Sequence, residues 1–374
     1  MKEVDSIRGF ALFGIFLVNM LDFHSPVMYI RLENWWKSPL DRWTITFIDV
    51  AAQASFYPLF AFLFGFSMIL FREQASEQGL PFPRLFMRRM VALLVLGGIH
   101  AFFIWHGDIL ITYAATGVLL LLFQQVSSRV WLFTALVCYV PRGIIAILLV
   151  VAGRTGENGV SVEAESLARE ALKNYRHGTA SDIFWQRLHD WVYVNNTEGF
   201  LFIAMTLLSF GLFGGYVAQN RSALSARTIK RVAVVSFLIG LPLKLLPYWM
   251  GKNMWTEYVQ DTFGGPALAL FYAAGMWLLA QKRWGVFDYL AAAGRMSVTN
   301  YLLQSVLCTF VFYSYGLGLY GSVRPLYGTI GVAVIYGLQA IASRKWLQHF
   351  YTGPVEWLWR AVTYGNWPLF RRRS

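Results

Sequence analysis

Long apolar runs separated by short polar ones dominate the chain, and within the runs hydrophobic residues follow one another instead of alternating. Val91 to Ile99 and Ala233 to Leu241 show the pattern. A membrane β-barrel would alternate apolar and polar residues over segments of roughly ten. Runs of about 20 nearly uncharged residues are the length that crosses hydrocarbon as an α-helix. The pattern predicts spans at 8–28, 46–71, 87–105, 108–126, 130–152, 199–219, 229–249, 262–282, 294–315 and 324–343. The expected fold is therefore all-α, a polytopic transmembrane bundle of about ten spans.

Between the fifth and sixth spans lies one long connection, 153–198. Leu167, Ala171, Leu172 and Tyr175 recur there at helical spacing, His177-Gly178 reads as a helix stop, and Ser181-Asp182 restarts a helix with Phe184, Leu188 and Trp191 on one face. Two amphipathic helices over one mouth of the bundle are expected. Without an internal repeat or low-complexity linker, residues 1–374 read as a single membrane domain.

Composition strengthens the class: 57% of residues are hydrophobic and 14% charged, whereas soluble chains are near half apolar and about a quarter charged. Lys and Arg outnumber Asp and Glu by 32 to 20. The excess gathers in short loops, so it reports topology and not nucleic acid. Arg72, Arg84, Arg88 and Arg89 follow the second span, Arg221, Arg227, Lys230 and Arg231 the sixth, and Arg371-Arg372-Arg373 close the chain. With an even span count, these residues and both termini fall on the cytoplasmic side. The connection 153–198, with five basic against seven acidic residues, then falls outside, as does the first loop, which carries Arg31, Lys37 and Arg42. Phe10 to Leu21 is followed by no small-residue cleavage site and reads as a retained span. Cys138 and Cys308 sit in apolar runs without metal-ligand spacing and read as packing residues. No metal site is expected, nor a bound nucleic acid.

Polar residues inside spans are costly in lipid and usually face the protein interior. Arg8 and Asn19 fall on nearly one face of the first helix, three turns apart; Asp5 either pairs with Arg8 or anchors the helix at the interface. Asp49, Gln53, Ser55, Tyr57 and Pro58 interrupt the second span, where Pro58 is expected to break the hydrogen-bond ladder. His100, His106 and Asp108 frame the hairpin between spans three and four; a carboxylate across such a turn can fix the imidazole tautomer while the ring takes a proton. Arg142, after Pro141, needs an interior partner or an anionic ligand, unless Pro141-Arg142-Gly143 splits the span. Lys244 either lines a cavity or snorkels. Asn300, Gln304 and Ser305 share a face of span nine, lining a cavity or joining helices. His24 closes the first span as a wet interfacial or a site residue. Gly316, Gly318 and Gly321 match a dinucleotide spacing but follow a span and not a βαβ strand, and so carry no weight.

Five segments together resemble the YeiB-like family of bacterial membrane proteins. They are Asp5-Ser-Ile-Arg8-Gly9 through Asn19, Phe56-Tyr57-Pro58 through Gly65, His100 with Trp105-His-Gly-Asp108, Gly294-Arg295 through Ser305, and Gly353-Pro354-Val-Glu356-Trp357-Leu-Trp-Arg360. The first is also similar to that of heparan-α-glucosaminide N-acetyltransferase, which moves an acetyl group from cytosolic acetyl-CoA to a sugar amine across the membrane. The resemblance implies acyl transfer in a bacterial cytoplasmic membrane, with acyl-CoA as co-substrate, no permanently bound cofactor, and a small-molecule, lipid or glycan acceptor. It places Arg8 and Asn19 in the shared motif. Where that enzyme has a functional His eleven residues after the Asn, this chain has Ile30, and His24 is out of register; His100 with Asp108 takes its place as expected base and partner. The expected substrate-binding set is Arg8, His24, Asp49, Tyr57, Arg142, Asn300 and Gln304, with Asn19 donating to the thioester oxygen. The rival reading is a small-solute transporter or channel whose path the same residues line. A homo-oligomer is compatible with the sequence.

Overall fold

Every backbone N–H and C=O in hydrocarbon must find its partner within the protein, which favours helices. The computed structural model describes residues 2–151, 162–282 and 284–372. The end of the predicted fifth span, the start of the long connection through 161, and Arg373 lie outside the described residues. Eight helical segments are long and apolar enough to cross a bilayer, and the shorter apolar helices Leu110–Phe123 and Ser297–Phe312 accompany them.

Helix α1 (Lys2–His24) begins well before the predicted residue 8 and is followed by a short turn, α2 (Leu32–Trp35). It is central, packing against several later helices. The second span is two helices, α3 (Pro39–Ala51) and α4 (Phe56–Glu77). Its break lies at residues 52–55 and not at Pro58. Pro58 sits in the first turn of α4, where a missing N–H removes no intrahelical bond. Ala54 adopts the left-handed conformation at φ 56°. The carbonyls freed by the break are met by side chains: Tyr272 donates to Ala51 at 2.6 Å and Lys244 to Gln53 at 3.1 Å. Lys244 is thus fully buried and does not snorkel.

Next come α5 (Phe82–Ile99), which runs into a π-helical turn at His100–Ile104, α6 (Leu110–Leu120) and α7 (Ser128–Val151). Helix α7 continues through Pro141, so the split considered at Pro141-Arg142-Gly143 does not occur. Phe133, Leu136 and Ile147 point outward from it, an arrangement suited to a lipid-facing surface.

The insertion forms α8 (Val162–His177) and α9 (Ala180–Val194). Its restart is a capping box in which Thr179 and Asp182 satisfy each other's end of the helix. Helix α9 rests on the π-helical turn, with Arg187 donating to the Phe102 carbonyl at 3.0 Å. The bundle continues with α10 (Thr197–Gln219), α11 (Ala226–Met250), α12 (Met254–Val259) joined through a π-helical turn to α13 (Gly265–Ala280), α14 (Val286–Arg295) and α15 (Ser297–Phe312). The predicted ninth span therefore divides at Met296. It ends with α16 (Pro325–His349) and α17 (Pro354–Tyr364).

Small residues bring α1 and α14 into backbone contact. A Cβ at Gly9 would lie 2.0 Å from the Leu290 carbonyl oxygen and one at Gly294 2.0 Å from that of Asp5, which locks α1 against α14. This places the start of α15 beside α1, on the side where the candidate site forms.

Candidate active site

The hairpin between α5 and α6 turns on residues small enough to let its arms touch. A side chain at Gly97 would bring its Cβ within 2.8 Å of the Ile111 nitrogen and 3.1 Å of Asp108 Oδ2. The glycine therefore allows Asp108 to reach back to the end of α5. There Asp108 Oδ1 lies 2.9 Å from His100 Nδ1, while Oδ2 accepts from the Ile111 amide at 2.9 Å. Both side chains are wholly buried. On the other edge of the ring, His100 Nε2 is 2.8 Å from Ser305 Oγ on α15. A carboxylate only accepts, so Nδ1 carries a proton, and in the neutral ring Nε2 accepts from the Ser305 hydroxyl, whose other acceptor is the Tyr301 carbonyl at 3.3 Å. The chain Asp108, His100, Ser305 is an acid, base and hydroxyl in series, the order needed to draw a proton from an attacking oxygen.

The Tyr301 ring, one turn before Ser305, lies 5.0 Å from the imidazole, and fully buried Trp105 stands edge-on to it at 6.1 Å. Tyr301 also lines a cavity of about 800 Å³, together with Ile15, Ile109, Leu110 and Tyr113. The cavity leads to the end of the bundle that holds the start of α1 and α17, where Arg8, Arg89, Arg295 and Arg360 line it beside Asp5, Glu73, Glu77 and Glu356. Most of these charges are committed. Arg8 donates to Asp5 at 2.8 Å and Ser67 at 2.9 Å, so Asp5 does pair with it. Glu73 forms a two-pronged pair with Arg221, and Glu356 accepts from the amides of Val298 and Thr299 at the start of α15. Among the described residues, no carboxylate lies within ion-pair distance of Arg89, which stacks 4.1 Å over Trp359, or of Arg360.

Asn19 is half-buried on the α1 stripe that includes cavity-lining Arg8, Leu12 and Ile15. Its amide takes no hydrogen bond from a described residue. The other expected binding residues disperse. Asn300 donates to Ser343 at 2.9 Å and Gln304 to Gln339 at 2.9 Å, so both join α15 to α16 and do not line the cavity. His24 is buried, 2.7 Å from Ser25 and against Phe312. Asp49 accepts from Tyr248 and Gln260 at 2.7 and 2.8 Å, far along the chain from the hairpin. Tyr57 and Arg142 line a second cavity, separate from the first.

His106, the other histidine that the sequence places at the hairpin, joins a second cluster whose partners the sequence did not assign to it. His106 Nε2 meets Asp22 at 3.1 Å, its Nδ1 lies 3.3 Å from Tyr175 and 3.9 Å from Asp190, and Tyr175 donates to Asp190 at 2.6 Å. Tyr29 adds another bond to Asp190 at 2.7 Å. Burial acts to lower the His106 pKa, yet the carboxylates of Asp22 and Asp190 outweigh it and hold the pKa above the ordinary 6.5. Beyond His106 itself, the available sequence signal for these partners was an acid, Asp190, on an amphipathic helix.

The fold and its hairpin define a multi-pass helical membrane protein with a buried acid–histidine–serine chain behind Tyr301 in the wall of a cavity. The chain belongs to the DUF418 family of YeiB-like membrane proteins. Residues 216–366 match the family described as "Protein of unknown function (DUF418)". "Uncharacterized protein YxaH" of Bacillus subtilis (strain 168) is 34% identical, the alignment covering 99% of this chain and 96% of the relative. "Uncharacterized protein YeiB" of Escherichia coli (strain K12) is 27% identical over 96% and 95%. The "Uncharacterized 39.9 kDa protein in amylase 3'region" of Bacillus acidopullulyticus is 27% identical over 99% and 96%.

Proposed function

We propose that this protein is an acyltransferase of the bacterial cytoplasmic membrane, passing an acyl group from a CoA-type thioester to a hydroxyl or amine acceptor by way of Ser305. The observation that carries the reading is the Asp108–His100–Ser305 chain, with spacings of 2.9 and 2.8 Å, set behind Tyr301 in the wall of a cavity. Arg89 and Arg360, free of carboxylate partners among the described residues, suit the phosphates of the donor. A swing of the Tyr301 ring admits the thioester.

In the first step Ser305 Oγ attacks the thioester carbonyl and its proton passes to His100 Nε2. The carbon–sulfur bond breaks, and the departing thiolate takes that proton. In the second step the acceptor attacks the acyl ester, gives its proton to Nε2, and Ser305 recovers it. Asp108 holds the ring and stabilises the imidazolium. The free amide of Asn19 is the donor to the carbonyl oxygen as charge develops. A general base of this kind is typically worth about 10²–10⁴ in rate.

Purified protein incubated with acetyl-CoA and quenched in acid should gain the mass of one acetyl group on Ser305 and release free CoA. Release without the adduct in any quench would remove the covalent step. Neither release nor thermal stabilisation by saturating acyl-CoA, with stabilisation by a small solute instead, would replace the enzyme by the transporter. The orientation on which donor entry rests is checked by reporter fusions: cytoplasmic after Arg84 and Arg227, exported within 162–190.

A further inference from the structure

The second cavity, about 690 Å³, lies between α7, α10 and the break in the second span, lined among others by Gln53, Tyr57, Arg142, Glu198, Phe202 and Asp261. Its volume is in the usual range for a small-molecule site, about 300–1,000 Å³. Arg142 is its dominant charge, 3% exposed and far from either end of α7.

This guanidinium is positioned but not neutralised. One Nη donates to the Phe202 carbonyl, the plane lies 4.2 Å over the Phe202 ring, and Nε has no partner. Among the described residues no carboxylate comes within ion-pair distance of it. The nearby acid Asp261 is taken by buried Lys244 at 3.3 Å, and Glu198 stands exposed in the first turn of α10. A cation inside a membrane bundle without an anion is costly. The cavity walls also include Ile145 and Leu201, which are 43% and 52% exposed on the apolar outer surface. A ligand can therefore place a charged head on Arg142 and leave an apolar tail in the bilayer.

We propose that this groove binds the headgroup of an anionic phospholipid, with the phosphate on Arg142 and the acyl chains leaving past Ile145 and Leu201. Guanidinium and phosphate match in charge and in two-pronged geometry. The site stands apart from the His100 chain and does not depend on acyl transfer.

Native mass spectrometry of detergent-purified protein given equal phosphatidylglycerol and diacylglycerol of the same chains, which lacks the phosphate, tests it. The wild type should retain phosphatidylglycerol with a preference of about ten-fold, the factor expected for one charge-assisted contact. Arg142→Gln should abolish the preference and Arg142→Lys keep part of it. Should Arg142→Gln fail to fold, Ile145→Trp decides, since it narrows the exit, keeps the guanidinium and should lower retention of both lipids. Equal retention by the wild type, an unchanged preference in Arg142→Gln, or unchanged retention in Ile145→Trp would each overturn the site. So would inorganic phosphate alone stabilising the protein as much as phosphatidylglycerol. A loss of stability in Glu198→Gln equal to that in Arg142→Gln would make Glu198 the partner of the arginine and also end the proposal.

Discussion

Two histidines of one hairpin, His100 and His106, are both buried, and each touches an aspartate. Their second partners differ. His100 has a hydroxyl on its far nitrogen, so a proton can arrive from Ser305 and leave again, with one carboxylate to steady the charged ring. His106 has Asp22 on one side and Asp190 with Tyr175 on the other. Two carboxylates favour the charged imidazole, and the one hydroxyl at its ring, that of Tyr175, already gives its proton to Asp190. The surroundings follow the same division. The His100 chain backs onto a cavity through Tyr301, whereas His106 ties α1 to the insertion helices that cover this end of the bundle. A buried histidine beside an acid is thus a site or a clamp according to what faces its other nitrogen.

The largest expected difference between the two is in rate. His100→Gln or Asp108→Asn should lower release of CoA from acetyl-CoA by about 10²–10⁴-fold, and the double variant should be little worse than the more damaging single one, because both serve one proton transfer. His106→Gln should leave the rate per folded molecule within a few-fold. A wild-type rate in His100→Gln would dissolve the distinction.

Stability should show the reverse. His106→Ala takes the ion partner from half-buried Asp22 and one neighbour from buried Asp190 and should cost about 1–3 kcal/mol, measured by unfolding in detergent, with acetyl-CoA turnover retained in the folded fraction. The effect has a pH signature. Because the folded pKa of His106 is raised above the ordinary 6.5, its stabilisation is fully present below pH 6.5 and is lost as pH rises through the raised value. Melting temperature should therefore fall over that interval in the wild type, and the fall should flatten in His106→Gln; an unchanged slope would remove the charged clamp.

Smaller effects sharpen the same line. Tyr175→Phe loses the 2.6 Å bond to Asp190 and should cost about 1–2 kcal/mol with no change in rate. Tyr301→Phe removes a long 3.4 Å contact to the Gly107 carbonyl and a backbone contact with Ile109, and should cost about 1 kcal/mol or less. A large loss of stability in Tyr301→Phe would show that the phenol, and not the ring, holds the cavity's inner wall.

The sequence alone determined the class and most of the span order, because membrane helices must be long and continuously apolar and because that pattern is local. It also singled out His100 with Asp108, since a hairpin brings residues eight apart together whatever the rest of the chain does. Local reasoning went astray where neighbours override it. Pro58 looked like a breaker but begins α4, and the true break at residues 52–55 is held open by Tyr272 and Lys244 from distant helices. For Arg142 the sequence left open a split at Pro141-Arg142-Gly143 that its helix does not make. Only the tertiary structure decided that Ser305, 205 positions away, faces His100, while Asn300 and Gln304 from the same stripe turn to α16. The packing of α14 and α15 against α1 sets that choice through the contact of Gly9 with Gly294, and nothing in a helical stripe says which neighbour will cover which of its residues. The clamp of His106 with Asp22 and Asp190 likewise joins three separate segments, whose meeting depends on how the insertion lies on the bundle.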